Sequence, residues 1–140
     1  MALFPEDFSV EEVAENWAYY EPRTEHGSSL SACMYALTAC RIGRPESAWK
    51  HFMNTASIDL IGGGKQWAGD IYIGGTHPAA NGGAWMIAVL GFAGLSVQNG
   101  KVQLRPHLPK EIRRLQFPIE LCGKRYLVTV THEGGTVTEL

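Results

Sequence analysis

Apolar residues recur with helical spacing over the first two-thirds of the chain and with alternating spacing over the last third. The first helix is expected from Ser9 to about Tyr20. Ser9 and Glu12 have capping-box spacing, Phe8 and Val13 can form a hydrophobic staple, and Pro22 disfavours helix just before it. A second helix starts at Ser28 or Ser29, with Leu30, Cys33, Met34, Leu37 and Cys40 on one face and Gly43 as the residue that ends it. A third follows at once with Pro45 in its first turn and Glu46 at the positive end of its dipole. Trp49, Phe52, Met53 and Ala56 form its expected buried stripe. The short break predicts an antiparallel helical hairpin. From Ile61 to Gly75 the chain is glycine-rich and without period, which reads as a long loop. A fourth helix, apolar almost all round, runs from Pro78 or Gly82 to Phe92, and its glycines suit close packing against another element.

After Gly94 the period changes to two. Asn99-Gly100 marks a hairpin between Leu95–Gln98 and Lys101–Leu104. Leu115, Phe117, Ile119 and Leu121 alternate, and turns at Gly123 and Gly134-Gly135 separate two more strands. The fold class is therefore mainly α, then antiparallel β with one buried face. No repeat of 20–50 residues is present.

Composition narrows the function classes. Of 140 residues, 45% are apolar and 19% charged, which is a globular balance, and the net charge of −2 offers no basic surface for nucleic acid or an anionic membrane. The longest apolar run, Ala84 to Leu90, is too short to span a bilayer. The start lacks a charged segment followed by an apolar core, so no signal peptide is expected. Cys33, Cys40 and Cys122 are odd in number and form no CxxC pair. A reduced, cytoplasmic setting with Cys33 and Cys40 as core thiols follows.

Two stretches hold candidate chemistry. Tyr20-Glu21-Pro22-Arg23-Thr24-Glu25-His26-Gly27-Ser28-Ser29-Leu30-Ser31 sets twin hydroxyls at a helix start, where free N–H groups and the dipole welcome an anion. Plain capping by Ser28 or Ser29 is the competing reading. In Gly74-Gly75-Thr76-His77-Pro78, His77 sits between a glycine loop and a helix start, where it can donate to an oxyanion or simply brace the loop. Gly62-Gly63-Gly64-Lys65 is no nucleotide loop, because Asp59 and Gln66 stand where that motif needs Gly and Ser or Thr. Trp67 breaks the dinucleotide pattern in the same way. His26, His51, His77, His107 and His132 show no HxxxH spacing and no Cys pair joins them, so no metal site is expected. No GxSxG elbow supports a serine triad.

The run from Tyr20 to Ser31 resembles a hallmark of glycoside hydrolase family 65, the family of maltose, trehalose, kojibiose and nigerose phosphorylases. The resemblance continues in order through His77-Pro78-Ala79-Ala80-Asn81-Gly82-Gly83-Ala84-Trp85, Gly91-Phe92-Ala93-Gly94-Leu95 and Gly100-Lys101-Val102-Gln103-Leu104-Arg105-Pro106-His107-Leu108-Pro109. Gly27 departs from the aspartate common at its place.

That resemblance implies the last helices of an (α/α)6 barrel over residues 1–94 and part of a small antiparallel β-sandwich over 95–140. It implies that Ser28, Ser29 and His77 bind inorganic phosphate, the co-substrate of an inverting phosphorolysis of α-linked glucose disaccharides, with no other cofactor. The general-acid glutamate and a Lys-Gln pair of the phosphate site would lie before Met1, so this chain alone is expected to be inactive. Lys65, Gln66 and Trp67 are candidates to line the sugar site. Four helices would leave apolar faces open, which calls for the missing barrel half on another polypeptide or for self-association. Two other outcomes are a non-catalytic oligomerising fragment and a family hydrolase using water, the latter disfavoured by the retained serines and histidine.

Overall fold

The computed structural model describes residues 1–61, 66–68, 71–73 and 76–140. Four helices lead into antiparallel strands. Helix α1 (Val10–Tyr20) begins in a complete capping box. Glu12 N–H donates to Ser9 Oγ at 3.1 Å, and Ser9 N–H donates to the Glu12 carboxylate at 2.8 Å. Its buried residues, Val13 and Trp17, are one turn apart, and the Arg44 guanidinium lies over the Trp17 ring at 4.8 Å.

Helix α2 (Ser31–Arg41) starts three residues after Ser28, because Ser28-Ser29-Leu30 form a turn in which Ser31 N–H donates to Ser28 O at 3.2 Å. Ala32, Cys33, Ala36, Leu37, Ala39 and Cys40 are buried, whereas Leu30 is exposed. The helix ends in a Schellman arrangement: Gly43 N–H donates to Cys40 O, Arg44 N–H to Ala39 O, and Gly43 takes φ of +70°. Helix α3 (Pro45–Ala56) returns antiparallel against α2, with Ala48, His51 and Thr55 buried. Trp49 and Phe52 stack at 5.3 Å and Phe52 meets Phe92 edge-on at 5.3 Å. Met53, expected inside, is exposed, because the buried face is set by contact with α2 rather than by the most apolar stripe.

The stretch read as structureless carries a short hairpin, β1 (Gln66–Ala68) antiparallel to β2 (Ile71–Ile73), with Trp67 opposite Tyr72. Helix α4 (Pro78–Met86) then passes into a π-helical turn, Ile87–Phe92, closed by Ala93 N–H donating to Ala88 O. Two glycines seat this segment on α2. A Cβ on Gly83 would lie 2.7 Å from Cys33 Cβ, and one on Gly91 would lie 3.1 Å from Cys40 Sγ. Eight residues at 3.6 per turn would swing Gly91 about 80° away from Gly83. The π turn takes up one residue and returns it to the same face. Because Cys33 pairs with Gly83 and Cys40 with Gly91, α2 and α4 run parallel and both start at the same end.

Strands β3 (Leu95–Gln98) and β4 (Lys101–Leu104) form one hairpin, and β5 (Arg114–Leu121), β6 (Lys124–Thr131) and β7 (Gly134–Glu139) form a three-stranded antiparallel sheet in the order β5-β6-β7. At the junction, Arg105 N–H donates to Gly94 O and His107 N–H to Phe92 O. Gly94 has φ of +60°, and a Cβ there would collide with Arg105 O at 1.8 Å, so only glycine fits. One hydrophobic cluster joins α2, Phe92, Leu108, Val128 and Val130, so helices and sheet share a core. Burying Phe92 or Ile87 fully contributes about 1.5–3 kcal/mol each. Among the described residues, no helix is long and apolar enough to cross a membrane.

Candidate functional site

The parallel packing of α2 and α4 gathers the sequence-predicted residues at one end of the helical layer. Ser28 lies five residues before Cys33 and His77 six before Gly83, so the two helix starts lie at about the same level. Antiparallel α3 ends at this same rim, and Thr55 Cγ2 reaches 3.7 Å from the Gly83 position.

Ser28 is exposed and Ser29 half-buried. Neither caps α2 in the usual way. The cap position falls on Leu30, no side chain caps the helix, and the Ser28 hydroxyl accepts only a 3.3 Å bond from Leu30 N–H. Two hydroxyl-bearing residues thus stand at the positive end of a helix that no side chain caps.

His77 stands at the N-cap of α4, which likewise has no side chain of its own capping it. Asp59 takes that part from the turn that follows α3. Its carboxylate accepts from His77 N–H at 2.8 Å, from His77 Nδ1–H at 2.7 Å and from Asn81 Nδ2 at 2.8 Å. These bonds, first that of the His77 side chain, hold the Asp59 carboxyl below its ordinary value. With Nδ1–H committed to Asp59, Nε2 is the nitrogen left for a ligand. It accepts when the ring is neutral and donates to an anion when the ring carries a second proton. Sequence reading missed Asp59 because it lies 18 positions from His77, beyond any local motif.

Lys65 lies outside the described residues. Gln66 and Trp67 contribute backbone to β1, in the connection between Asp59 and His77 that leaves from and returns to the rim.

Beside the serine loop a second cluster was not legible from spacing. His26, held in left-handed backbone at φ of +56°, bonds Ser31 Oγ through Nδ1 at 3.0 Å. Its ring packs 4.8 Å from His51 of α3 and 4.6 Å from Tyr35, whose hydroxyl bonds Thr24 at 2.7 Å. Glu21 Oε1 lies 3.5 Å from His51 Nε2, too long for a well-made hydrogen bond, so both His51 nitrogens and His26 Nε2 are buried without a partner. Each such group costs about 1–3 kcal/mol. Burial, with His26 beside it, pushes the His51 imidazole down and favours its neutral form. Burial also raises the Cys33 thiol and pushes Cys40 up to about 12, so both are inert core thiols.

Residues 1–86 match the profile of the glycosyl hydrolase family 65 central catalytic domain, and residues 95–140 that of the family 65 C-terminal domain. Nigerose phosphorylase of Lachnoclostridium phytofermentans is 46% identical over 140 residues, covering 100% of this chain and 19% of the relative. Kojibiose phosphorylase of Caldanaerobacter subterraneus is 37% identical over 141 residues, covering 100% and 18%. A solved structure of a kojibiose phosphorylase-like protein from the human microbiome superposes with a TM-score of 0.84 at 30% identity, over 100% of this chain and 20% of that one. The chain thus spans about a fifth of the length of the relatives it matches.

Proposed function

We infer, from the premise that this chain belongs to glycosyl hydrolase family 65, that it supplies the phosphate-binding rim of a phosphorylase acting on α-linked glucose disaccharides. The observation that carries the reading is the parallel seating of α2 and α4, which puts Ser28, Ser29 and His77 at one end. Two helix starts, two hydroxyls and an imidazole form a donor set suited to a tetrahedral dianion.

Phosphate is a weak nucleophile and gains most from being held close and aligned. Positioning of this kind supplies several kcal/mol of a barrier. Asp59 fixes the His77 ring so that Nε2 addresses the anion. The same donors favour phosphate over water, which speaks against a hydrolase. The general acid that protonates the glycosidic oxygen comes from elsewhere in the complete enzyme, on the opposite face of the sugar, so that configuration inverts. Lys65, Gln66 and Trp67, on the connection leaving this rim, line the sugar side. Their substitution changes disaccharide affinity and leaves phosphate affinity alone.

The rest of a family 65 barrel covers the apolar residues that this chain leaves open, among them Tyr19, Tyr20, Leu60, Ile61 and Trp85. A second copy of the chain is the other occupant. The reduced thiols suit a cytoplasmic enzyme.

The test is phosphate-dependent release of glucose 1-phosphate in the completed enzyme, with nigerose first and kojibiose, trehalose and maltose beside it. Ser28→Ala, Ser29→Ala and His77→Ala should each raise the phosphate KM by about ten- to a hundredfold, the worth of a charge-assisted hydrogen bond. An unchanged phosphate KM in all three variants refutes the reading.

A further inference from the structure

We propose that Glu21, His26 and His51 bind one divalent transition-metal ion, Zn2+ by the chemistry of the set, beside the loop that carries Ser28 and Ser29.

The three residues come from the turn after α1, the loop before α2 and the middle of α3, and each brings one ligand atom within 4.8 Å of the others. Two imidazoles and one carboxylate are an established zinc donor set that leaves a fourth position for water. Five buried side-chain nitrogens lack a partner among the described residues, and three of them belong to His26 and His51. His51 is 2% exposed, so neither solvent nor another polypeptide reaches its ring from outside. An ion held between the two rings would give a partner to one nitrogen of each histidine.

The surroundings agree with ligation. Ser31 Oγ occupies His26 Nδ1 and so fixes the ring with Nε2 free, the kind of outer bond that orients metal-binding histidines. Glu21 Oε1 already stands 3.5 Å from His51 Nε2, near the ligand-to-ligand separation of a tetrahedral zinc site. One carboxylate and two neutral imidazoles leave a negative charge for the cation to offset. Because His26 and Ser31 bracket residues 27–30, the ion would fasten that loop to α3.

The inference does not depend on the phosphate reading, and its test needs no activity. The protein, in the assembly in which it purifies, is stripped with chelator and titrated with Zn2+ by calorimetry and with Co2+ by visible absorption. One equivalent per chain is expected, with the intense d–d bands of four-coordinate cobalt and a raised thermal midpoint. Glu21→Gln, His26→Gln and His51→Gln should each weaken binding about tenfold or more, the lower bound set by what loss of even an outer-shell partner costs. His132→Gln, at an exposed turn, should not. Glu21→Gln keeps size and shape at a partly exposed side chain, so it reports even if a buried histidine variant misfolds. No stoichiometric binding in the parent, or binding unchanged in Glu21→Gln with native circular dichroism, overturns the proposal.

Discussion

Asp59 holds His77 by two hydrogen bonds at once, one from its backbone N–H at 2.8 Å and one from Nδ1–H at 2.7 Å. The first fixes where α4 begins and the second fixes which ring nitrogen faces the rim. In the completed enzyme, Asp59→Asn keeps the shape but replaces one accepting carboxylate oxygen by an amide nitrogen, which loosens the hold on the His77 ring. The phosphate KM should rise about ten- to a hundredfold, as for other partners that orient a ligand-binding histidine, while the disaccharide KM stays within about twofold. Initial rates with each substrate varied in turn check this. An equal rise in both constants would mean that Asp59 acts only as a cap for α4.

Gly82 and Gly83 are neighbours with opposite expectations. A Cβ at 83 would lie 2.7 Å from Cys33 Cβ, an atom fixed to the α2 backbone, whereas a Cβ at 82 meets nothing within 4 Å. Gly83→Ala should cost about 1–3 kcal/mol by overpacking. Gly82→Ala should stabilise by about 0.5–1 kcal/mol, because alanine loses less backbone freedom in a helix. Cys33→Ala should not rescue Gly83→Ala, since the clashing Cβ remains. Urea unfolding of the four proteins measures all of these.

What the sequence disclosed and what it hid divide by range. The capping box at Ser9 and Glu12, the Schellman end at Gly43 and the turns at Asn99-Gly100 and Gly123 are each decided within a few residues, and all were readable. The start of α2 at Ser31 rather than Ser28 was not, because serine serves a turn as well as a cap. The π turn was hidden since its apolar run fits an unbroken buried helix equally well, and its cause is the facing pair of cysteines seven apart. Exposure of Met53 reflects packing by α2, which no single-helix pattern contains. At the rim, Ser28, Ser29 and His77 were singled out through ordered motifs. Asp59 and the His26–His51 contact join positions that only the fold brings together.

His107 gives stability a pH dependence with a definite sign. Burial first, and then the positive charge of Arg105, hold its imidazole below the ordinary 6.5. On acidification the unfolded chain takes up this proton before the folded one. The contribution is therefore complete above 6.5 and is lost as pH falls through 6.5 toward the lower folded value. The thermal midpoint should drop between pH 8 and pH 5, and the drop should be smaller in His107→Asn, which removes the titrating ring. A drop of the same size in both proteins would show that other groups, the depressed His51 first among them, carry the effect.

Tyr19, Tyr20 and Trp85 are each more than half exposed, and Leu60 and Ile61 more so. Leu60 and Ile61 follow α3 at the rim, while Tyr19 and Tyr20 close α1, so two edges of the helical layer stand open. A few hundred Å2 of contiguous apolar surface is the usual ceiling for a soluble monomer. The chain by itself should therefore associate, with a sedimentation coefficient that rises with concentration. Replacing Tyr19 and Tyr20 by serine should reduce that rise, because each large aromatic removes a major part of the contact area. Adding the polypeptide that bears the first part of a family 65 barrel should replace self-association by a one-to-one complex. In that complex the exposed Trp85 should lose water contact, and tryptophan emission should shift to the blue. A parent chain that sediments as a monomer at every concentration and binds no such polypeptide would show that these faces need no cover.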